Sequence, residues 1–275
     1  MKKDIHMKKI TLLIVLISLI VSSSVSNAGD MKVSDKKATP TLAPGGLFSI
    51  EFPEMPPTFF SKYANGKDAT PRMSVFLPKN YDQKKKFPLL VYLDGGNGGD
   101  ASNPKVARDI TQETDFICVA MPLFKTNHHN FIMRDEDGQF MWPHFRTMLD
   151  KLYELVPNID PSYRILGGFS NGAHATQGLI DESDGEVARR FSAFFFVEGG
   201  GRLRQYDLLK GNSYLIVSSQ PGSKPKAQVV CDAARAAGAN ATLIFHDVGH
   251  HDFTPPMYPK VNEWLRGTDP KSARE

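Results

Sequence analysis

The sequence predicts an α/β fold in which a mostly parallel central sheet is flanked by helices on both faces. The first observation is that short apolar runs alternate along the chain with longer segments of helical periodicity. Strands that alternate with helices are joined by right-handed crossovers, which makes neighbouring strands parallel. The second observation is that Pro88–Leu93 and Phe116–Met121 are continuously apolar, as strands buried on both faces of a sheet are.

The expected strands follow one another through the chain, and the first two are expected to pair antiparallel. Their segments are Leu47–Phe52, Met73–Leu77, Pro88–Leu93, Phe116–Met121, Tyr163–Leu166, Phe191–Val197, Tyr214–Ser218 and Thr242–His246. Helical spacing marks the segments His144–Val156, Ala173–Ile180, Ala227–Ala237 and Pro256–Leu265. These elements together predict one domain over residues 46–268.

The amino-terminal segment has the pattern of a secretory signal peptide. Four lysines within the first nine residues precede the apolar run Ile10–Val21, and the small-residue site Ser26-Asn27-Ala28 follows. The apolar run is too short for a permanent membrane anchor. We therefore expect residues 1–28 to be a signal peptide and residues 29–45 a flexible leader, so that the mature protein is secreted or periplasmic.

The charge balance argues against nucleic acid and the membrane surface as partners. The chain carries a formal charge of +3, and residues 1–28 contribute four lysines and one aspartate, which account for all of it. The mature charge is therefore about zero, with neither a basic patch nor a basic amphipathic helix. The sequence leaves the oligomeric state open.

The two cysteines are expected to be buried free thiols rather than a disulfide. Cys118 lies within an apolar strand, and Cys231 lies within the helical segment Ala227–Ala237. A cysteine in such surroundings behaves as a small apolar side chain. Neither is expected to be catalytic.

The strongest functional motif is Gly168-Phe169-Ser170-Asn171-Gly172, which fits the pattern Gly-x-Ser-x-Gly of a nucleophile elbow. An apolar strand precedes it and a helix-compatible segment follows, as the elbow requires. A serine can attack a substrate only if a sharp turn projects its hydroxyl above the sheet edge. Glycines on both sides allow neighbouring backbones to close around that strained residue. The motif predicts Ser170 as a nucleophile.

A serine nucleophile needs a base, and the turn after the last strand supplies two histidines. His250 and His251 follow Gly249, well after Ser170 in the chain, which matches the serine-then-histidine order of this elbow type. Gly249 would allow a tight turn that aims His250 at the serine. We therefore favour His250 and keep His251 as the alternative.

The oxyanion hole is expected to use two backbone N–H groups. One is that of Asn171, directly after the nucleophile. The other should come from the glycine-rich loop after the strand Pro88–Leu93, because glycines let backbone amides approach a substrate closely. Gly96 and Asn97 are the favoured donors in that loop.

The acid that would orient the base is not at the expected place. The segment Ser219–Lys224, which follows the strand Tyr214–Ser218, contains no carboxylate. Glu198 ends the strand expected beside the nucleophile strand and is the favoured candidate. Asp247 and Asp252 are alternatives close to the histidines, and a serine–histidine pair without an acid is another.

The segment Lys125–Trp142 is expected to be a long loop over the active-site face that influences substrate choice. It contains His128 and His129, with His144 nearby, but adjacent histidines bind one metal ion poorly. The run Asp135-Glu136-Asp137-Gly138 lacks the spaced ligands of a calcium loop and is typical of a solvated turn. No metal site is predicted.

Four segments together resemble the secreted esterases that include feruloyl esterases, polyhydroxyalkanoate depolymerases and enterochelin-type esterases. They are Met73–Asp82, Phe87–Gly96, Ile159–Gly172 and Gly249-His250. The resemblance implies an α/β-hydrolase fold and hydrolysis of carboxylic esters without a cofactor. The sequence departs from this group at Asp94, where many members have histidine.

Two function hypotheses follow from these observations. The first is an exported serine hydrolase that cleaves carboxylic esters through an acyl-enzyme. Its substrate would be a small-molecule or polysaccharide ester, with the acyl group on a carbohydrate or a related alcohol. The second, motivated by the missing acid, is a catalytically silent domain of the same fold that binds glycans or a partner protein. A reading as an exported peptidase is weaker, because the chain has no additional substrate-filtering domain.

Overall fold

A computed structural model describes residues 40–55, 70–96, 104–122, 135–219, 224–246 and 255–268. The predicted signal peptide and most of the predicted leader lie outside these residues. No helix among the described segments combines the length and apolar character that crossing a membrane requires.

The described strands form one sheet of eight. They are β1 (Leu47–Glu51), β2 (Arg72–Phe76), β3 (Phe87–Leu93), β4 (Ile117–Ala120), β5 (Ile159–Phe169), β6 (Ala193–Val197), β7 (Ser213–Ser218) and β8 (Asn240–Phe245). Their order across the sheet is β1-β2-β4-β3-β5-β6-β7-β8. The strands from β4 to β8 are parallel, whereas β2 pairs antiparallel with both β1 and β4. The prediction of a mostly parallel sheet with an antiparallel first pair is confirmed.

The described segments contain six α-helices, five between strands and one after the last strand. They are α1 (Lys105–Thr111), α2 (Asp135–Leu155), α3 (Asn171–Asp181), α4 (Glu186–Arg190), α5 (Lys224–Ala236) and α6 (Tyr258–Gly267). The sequence analysis predicted α2, α3, α5 and α6 in part and missed α1 and α4. Those two helices are short, so their apolar positions are too few to establish a helical period.

The expectation that Lys125–Trp142 is entirely loop is wrong, because α2 begins at Asp135 and continues through Pro143. Gly138 lets the helix pack closely, since a Cβ there would lie 2.7 Å from the carbonyl oxygen of Gly178 in α3. The run Asp135–Gly138 is therefore the first turn of a helix rather than a solvated turn.

Both faces of the sheet are covered, as the sequence predicts. Successive side chains of a strand point to opposite faces, so each strand feeds two cores. Leu89, Val91 and Leu93 of β3 belong to the core that contains the apolar faces of α2, α3 and α5. Leu90 and Tyr92 of the same strand belong to the other core, which contains those of α1 and α6. This two-sided burial explains why the inner strands are continuously apolar.

The two cysteines are free and buried, as expected. Cys118 lies in β4, and burial raises the pKa of its thiol to about 12. Because the thiolate is the reactive form of cysteine, this thiol is inert at neutral pH. The cysteines therefore contribute packing rather than chemistry.

Candidate active site

Ser170 lies between the end of β5 and the start of α3, with a φ of 49° and a ψ of −113°. This region of backbone conformation is unfavourable for a residue with a side chain, and such strain collects at functional sites. The residue is half-buried, and its hydroxyl does not cap the helix that it precedes. Its hydroxyl is therefore presented at the sheet edge instead of being used to hold the helix.

The two flanking glycines are required by close backbone contacts. A Cβ on Gly168 would lie 2.3 Å from the carbonyl oxygen of Leu93, and a Cβ on Gly172 would lie 2.0 Å from that same oxygen. Any side chain at either position would overlap the end of β3. The spacing in Gly-x-Ser-x-Gly thus reflects the place where the elbow and the end of β3 touch.

Asn171 connects the elbow to the glycine-rich loop after β3. Its side chain is buried, and Nδ2 donates a hydrogen bond of 2.8 Å to the carbonyl oxygen of Gly96. Its backbone N–H belongs to the first turn of α3, where N–H groups have no carbonyl of the helix itself to bind. The structure therefore brings two of the predicted oxyanion residues, Asn171 and Gly96, into direct contact.

Asp94 occupies the start of the same loop and binds its own neighbour. The N–H of Gly95 donates a 2.8 Å hydrogen bond to Oδ1 of Asp94. Desolvation raises the pKa of the Asp94 carboxyl, and this hydrogen bond opposes the rise. The N–H of Gly95 is thereby engaged within the loop, which leaves the predicted donors in this loop at Gly96 and Asn97.

Glu198 directly follows β6 and lies beside the elbow. The N–H of Ser170 donates to the carbonyl oxygen of Val197 at 2.8 Å, so the two strand ends are hydrogen-bonded where the nucleophile turn begins. Glu198 has a φ of 55°. A Cβ on the next residue, Gly199, would lie 2.9 Å from the Ser170 carbonyl oxygen. The Glu198 turn is thus packed against the serine turn.

His246, the first residue after β8, contacts Glu198. Its Nε2 lies 2.9 Å from Oε1 of Glu198, and the two side chains are 3% and 2% exposed. The distance is that of an ion pair, although the two atoms do not meet the geometry of an aligned hydrogen bond. The parallel strand β7 lies between β6 and β8; it ends at Ser218, and Ser219 follows it, so both residues here are small. Small side chains there leave room for the longer ones to meet.

The sequence analysis placed His246 at the end of a strand and gave it no role. The missed signal is positional, because the carboxyl ends of parallel strands lie at one edge of a sheet and ligand sites form there. The first residues after β5, β6, β7 and β8 are Ser170, Glu198, Ser219 and His246. The positions of Glu198 and His246 directly after two nearby parallel strands predict that their side chains meet at this edge.

Several predicted residues lie outside the described segments. These are the favoured base His250, its alternative His251, the alternative acids Asp247 and Asp252, the oxyanion candidate Asn97, and the histidines His128 and His129. Their roles stay predictions. The imidazole of His144, which is described, lies 2.8 Å from the Phe140 carbonyl oxygen through Nδ1.

Within the described part of the chain, no group of three or more histidine, cysteine, aspartate or glutamate side chains is arranged to hold a metal ion. The chemistry available at the sheet edge is instead that of a serine hydroxyl, backbone N–H donors and a carboxylate–imidazole pair. These are the groups that nucleophilic acyl transfer uses.

No protein-family model matches the sequence, and no curated protein sequence matches it either. Solved structures do match. A thermostable esterase aligns with a TM-score of 0.56 and 18% identity, over 80% of this chain and 62% of its own. The carboxylesterase of Bacillus cereus aligns with a TM-score of 0.53 and 21% identity, over 77% of this chain and 98% of its own. An esterase of the archaeon Pyrobaculum calidifontis aligns with a TM-score of 0.56 and 13% identity, over 82% of this chain and 86% of its own.

This likeness, together with the strand order and the elbow after β5, establishes an α/β-hydrolase fold. The chain spans 62% of the length of the thermostable esterase. At these identities the likeness concerns the fold, because one fold supports many chemistries. The narrower resemblance to feruloyl esterases and their relatives stays a prediction.

Proposed function

We propose that this protein is a serine hydrolase that cleaves carboxylic esters through an acyl-enzyme. The observation that carries the proposal is the strained backbone of Ser170, at the carboxyl end of β5 and the amino end of α3. A non-glycine residue in that conformation costs free energy, which surrounding contacts must offset. Such a cost at the one serine of a Gly-x-Ser-x-Gly motif is explained by presentation of a nucleophile.

In the proposed mechanism, His250 takes the proton of the Ser170 hydroxyl while Oγ attacks the carbonyl carbon of the ester. The negative charge that develops on the carbonyl oxygen is bound by the N–H of Asn171 and by an N–H of the loop at Gly96 and Asn97. The alcohol leaves with the proton from His250, and an acyl group remains on Oγ. Water then hydrolyses this ester by the same steps.

Glu198 is the proposed orienting acid. A carboxylate beside the base fixes the tautomer of the imidazole and stabilises the imidazolium that forms during the reaction. Two observations support Glu198: its turn packs on the Ser170 turn, and its side chain is buried at the sheet edge. An acid after β6 would take the place of the acid expected after β7, where the chain has serines and no carboxylate.

The proposed substrate is a small-molecule or polysaccharide ester whose acyl group sits on a carbohydrate or a related alcohol. The similar structures include an esterase and a carboxylesterase, which agrees with ester hydrolysis. We also propose export, on the amino-terminal pattern of lysines, apolar residues and a small-residue cleavage site. Amino-terminal sequencing of the mature protein tests export, and an intact residue 1 would contradict it.

The experiment that tests the activity compares wild type with Ser170→Ala on a short p-nitrophenyl ester. Replacing the nucleophile is expected to lower kcat by about a thousandfold or more. Ser162→Ala is the matched control, because Ser162 is an exposed serine near the opposite end of β5. Equal rates in wild type and Ser170→Ala would refute the mechanism and return attention to a silent binding domain.

A further inference from the structure

Glu198 and His246 form a buried pair whose position is unusual for a purely structural contact. Their side chains are 2% and 3% exposed, and they meet across the end of β7. A buried ion pair is often no more stabilising than apolar residues of similar volume. Glu198 in addition has a φ of 55°, which costs conformational free energy in a residue other than glycine. Stability alone therefore does not account for this pair.

Backbone hydrogen bonds tie the pair to the nucleophile turn. The N–H of Ser170 binds the carbonyl oxygen of Val197, and the N–H of Glu198 binds that of Val217. The N–H of His246 binds the carbonyl oxygen of Ser218 at 3.2 Å. These bonds continue the ladder of the sheet past the strand ends, so the serine, the glutamate and the histidine are held in one row.

Resting on the proposed function, we propose that His246 is a positioning residue that holds the Glu198 carboxylate aimed at the histidine serving Ser170. The imidazole engages Oε1, and the proposal assigns Oε2 to the serving histidine. A carboxylate accepts hydrogen bonds on both oxygens, so it is able to join two imidazoles. The acid of this site would then be a glutamate with a fixed partner on each side.

Burial gives the physical reason for such a partner. A carboxylate removed from water takes up a proton unless a donor or a positive charge favours its charged form. An orienting acid acts on the imidazolium that forms during acyl transfer only if its carboxylate is held in place. The Nε2 atom of His246, 2.9 Å from Oε1, is one such partner.

His246 is not suited to be the base itself. A base has to reach the serine hydroxyl and the leaving alcohol. Both ring nitrogens of His246 are buried, and neither forms a hydrogen bond with a described residue. The ring therefore does not bind the Ser170 hydroxyl. Its Nε2 already faces Glu198, so its role is exerted through the carboxylate.

Two other titratable groups belong to elements packed near the pair. His174 in α3 faces Gly199, since its Nε2 lies 3.1 Å from the point that a Cβ on Gly199 would occupy. Lys224 in α5 lies over the ring of Phe245, which precedes His246. The variants below leave both groups in place, so a difference between them reports on residue 246.

The experiment measures the rate at which a fluorophosphonate labels Ser170 between pH 5 and pH 9, in wild type, His246→Phe and His246→Gln. The glutamine amide nitrogen is placed near Nε2 and keeps a donor to Glu198, whereas phenylalanine keeps the ring shape without one. We expect His246→Phe to lower the labelling rate about tenfold, because the polar partner of the Glu198 carboxylate is lost. His246→Gln should label within about threefold of wild type at both ends of the range.

The same variants in a Glu198→Gln background test whether His246 acts through Glu198. If it does, His246→Phe causes no further loss there. Additive losses, or equal labelling rates for wild type, His246→Phe and His246→Gln, would overturn the proposal. If His246→Phe does not fold, His246→Asn replaces it, because its amide lies near Nδ1 instead of Nε2 and is expected to be as slow.

The outcomes separate this inference from the proposed function. If wild type is labelled, Ser170→Ala is not, and the residue 246 variants label at the wild-type rate, the role of His246 is refuted. The proposed serine hydrolase activity is then still supported. No labelling of wild type would sink both.

Discussion

The two sides of the candidate site are built in different ways. On one side, the elbow and the end of β3 meet through backbone atoms, and Gly168 and Gly172 are there because no side chain fits. On the other side, Glu198 and His246 meet through long side chains across the end of β7. The side at β3 therefore depends on the absence of side chains, whereas the side at β7 depends on the contact between two long side chains. Substitutions on the two sides should therefore differ in their effects on stability and activity.

The largest effect is expected from adding one methyl group to the backbone-built side. Gly172→Ala places a Cβ 2.0 Å from the Leu93 carbonyl oxygen, and backbone atoms cannot move aside as a side chain would. We expect the free energy of unfolding to fall by about 3 kcal/mol, measured by urea denaturation. Gly267→Ala is the control, since nothing lies within 4 Å of a Cβ there and alanine favours helix. Equal stability of the two variants would contradict the account of the elbow.

The same contrast explains how much could be predicted from the sequence. The sequence predicted all eight strands and the elbow, because continuous apolar runs and Gly-x-Ser-x-Gly are local patterns with a direct steric cause. The role of Glu198 was suggested only by its place at a strand end. Its contact with His246 was not predicted, because these residues are far apart in the chain and meet only through the register of β6, β7 and β8. The early start of α2 was missed because Pro143 disfavours a helix interior.

An intermediate effect is expected at Asn171, whose side chain contacts the loop on the backbone-built side. Asn171→Asp removes the donor to the Gly96 carbonyl oxygen and puts a carboxylate against it. The loop that carries the second oxyanion donor would lose its anchor. We expect kcat on a p-nitrophenyl ester to fall about tenfold, with a smaller change in KM. Asn240→Asp, the same change at an exposed residue in β8, should leave kcat as in wild type. An unchanged kcat for Asn171→Asp would mean that the anchor is dispensable.

The smallest effect is expected at Asp94, the carboxylate of the backbone-built side. Asp94 is exposed as a residue, but desolvation of its carboxyl raises the pKa above the ordinary value of 3.8. The folded protein therefore binds this proton more tightly than the unfolded chain does, and stability from this group is lost as the pH rises through the folded pKa. Asp94→Asn keeps an acceptor for the Gly95 N–H and removes the ionisation.

We expect Asp94→Asn to have a slightly higher Tm than wild type at pH 7, with the difference shrinking as the pH falls towards 4. Thermal unfolding at several pH values measures this. A difference of the opposite sign, or one that grows on acidification, would show that the charged form of Asp94 is favoured by the fold.

The central claim is that Ser170 is a nucleophile, and the most direct measurement is peptide mass mapping after fluorophosphonate treatment. We expect one phosphonyl adduct on the peptide that contains Ser170, and none on this peptide in Ser170→Ala. An adduct on another serine, such as Ser219 at the end of β7, or no adduct on folded wild-type protein, would contradict it.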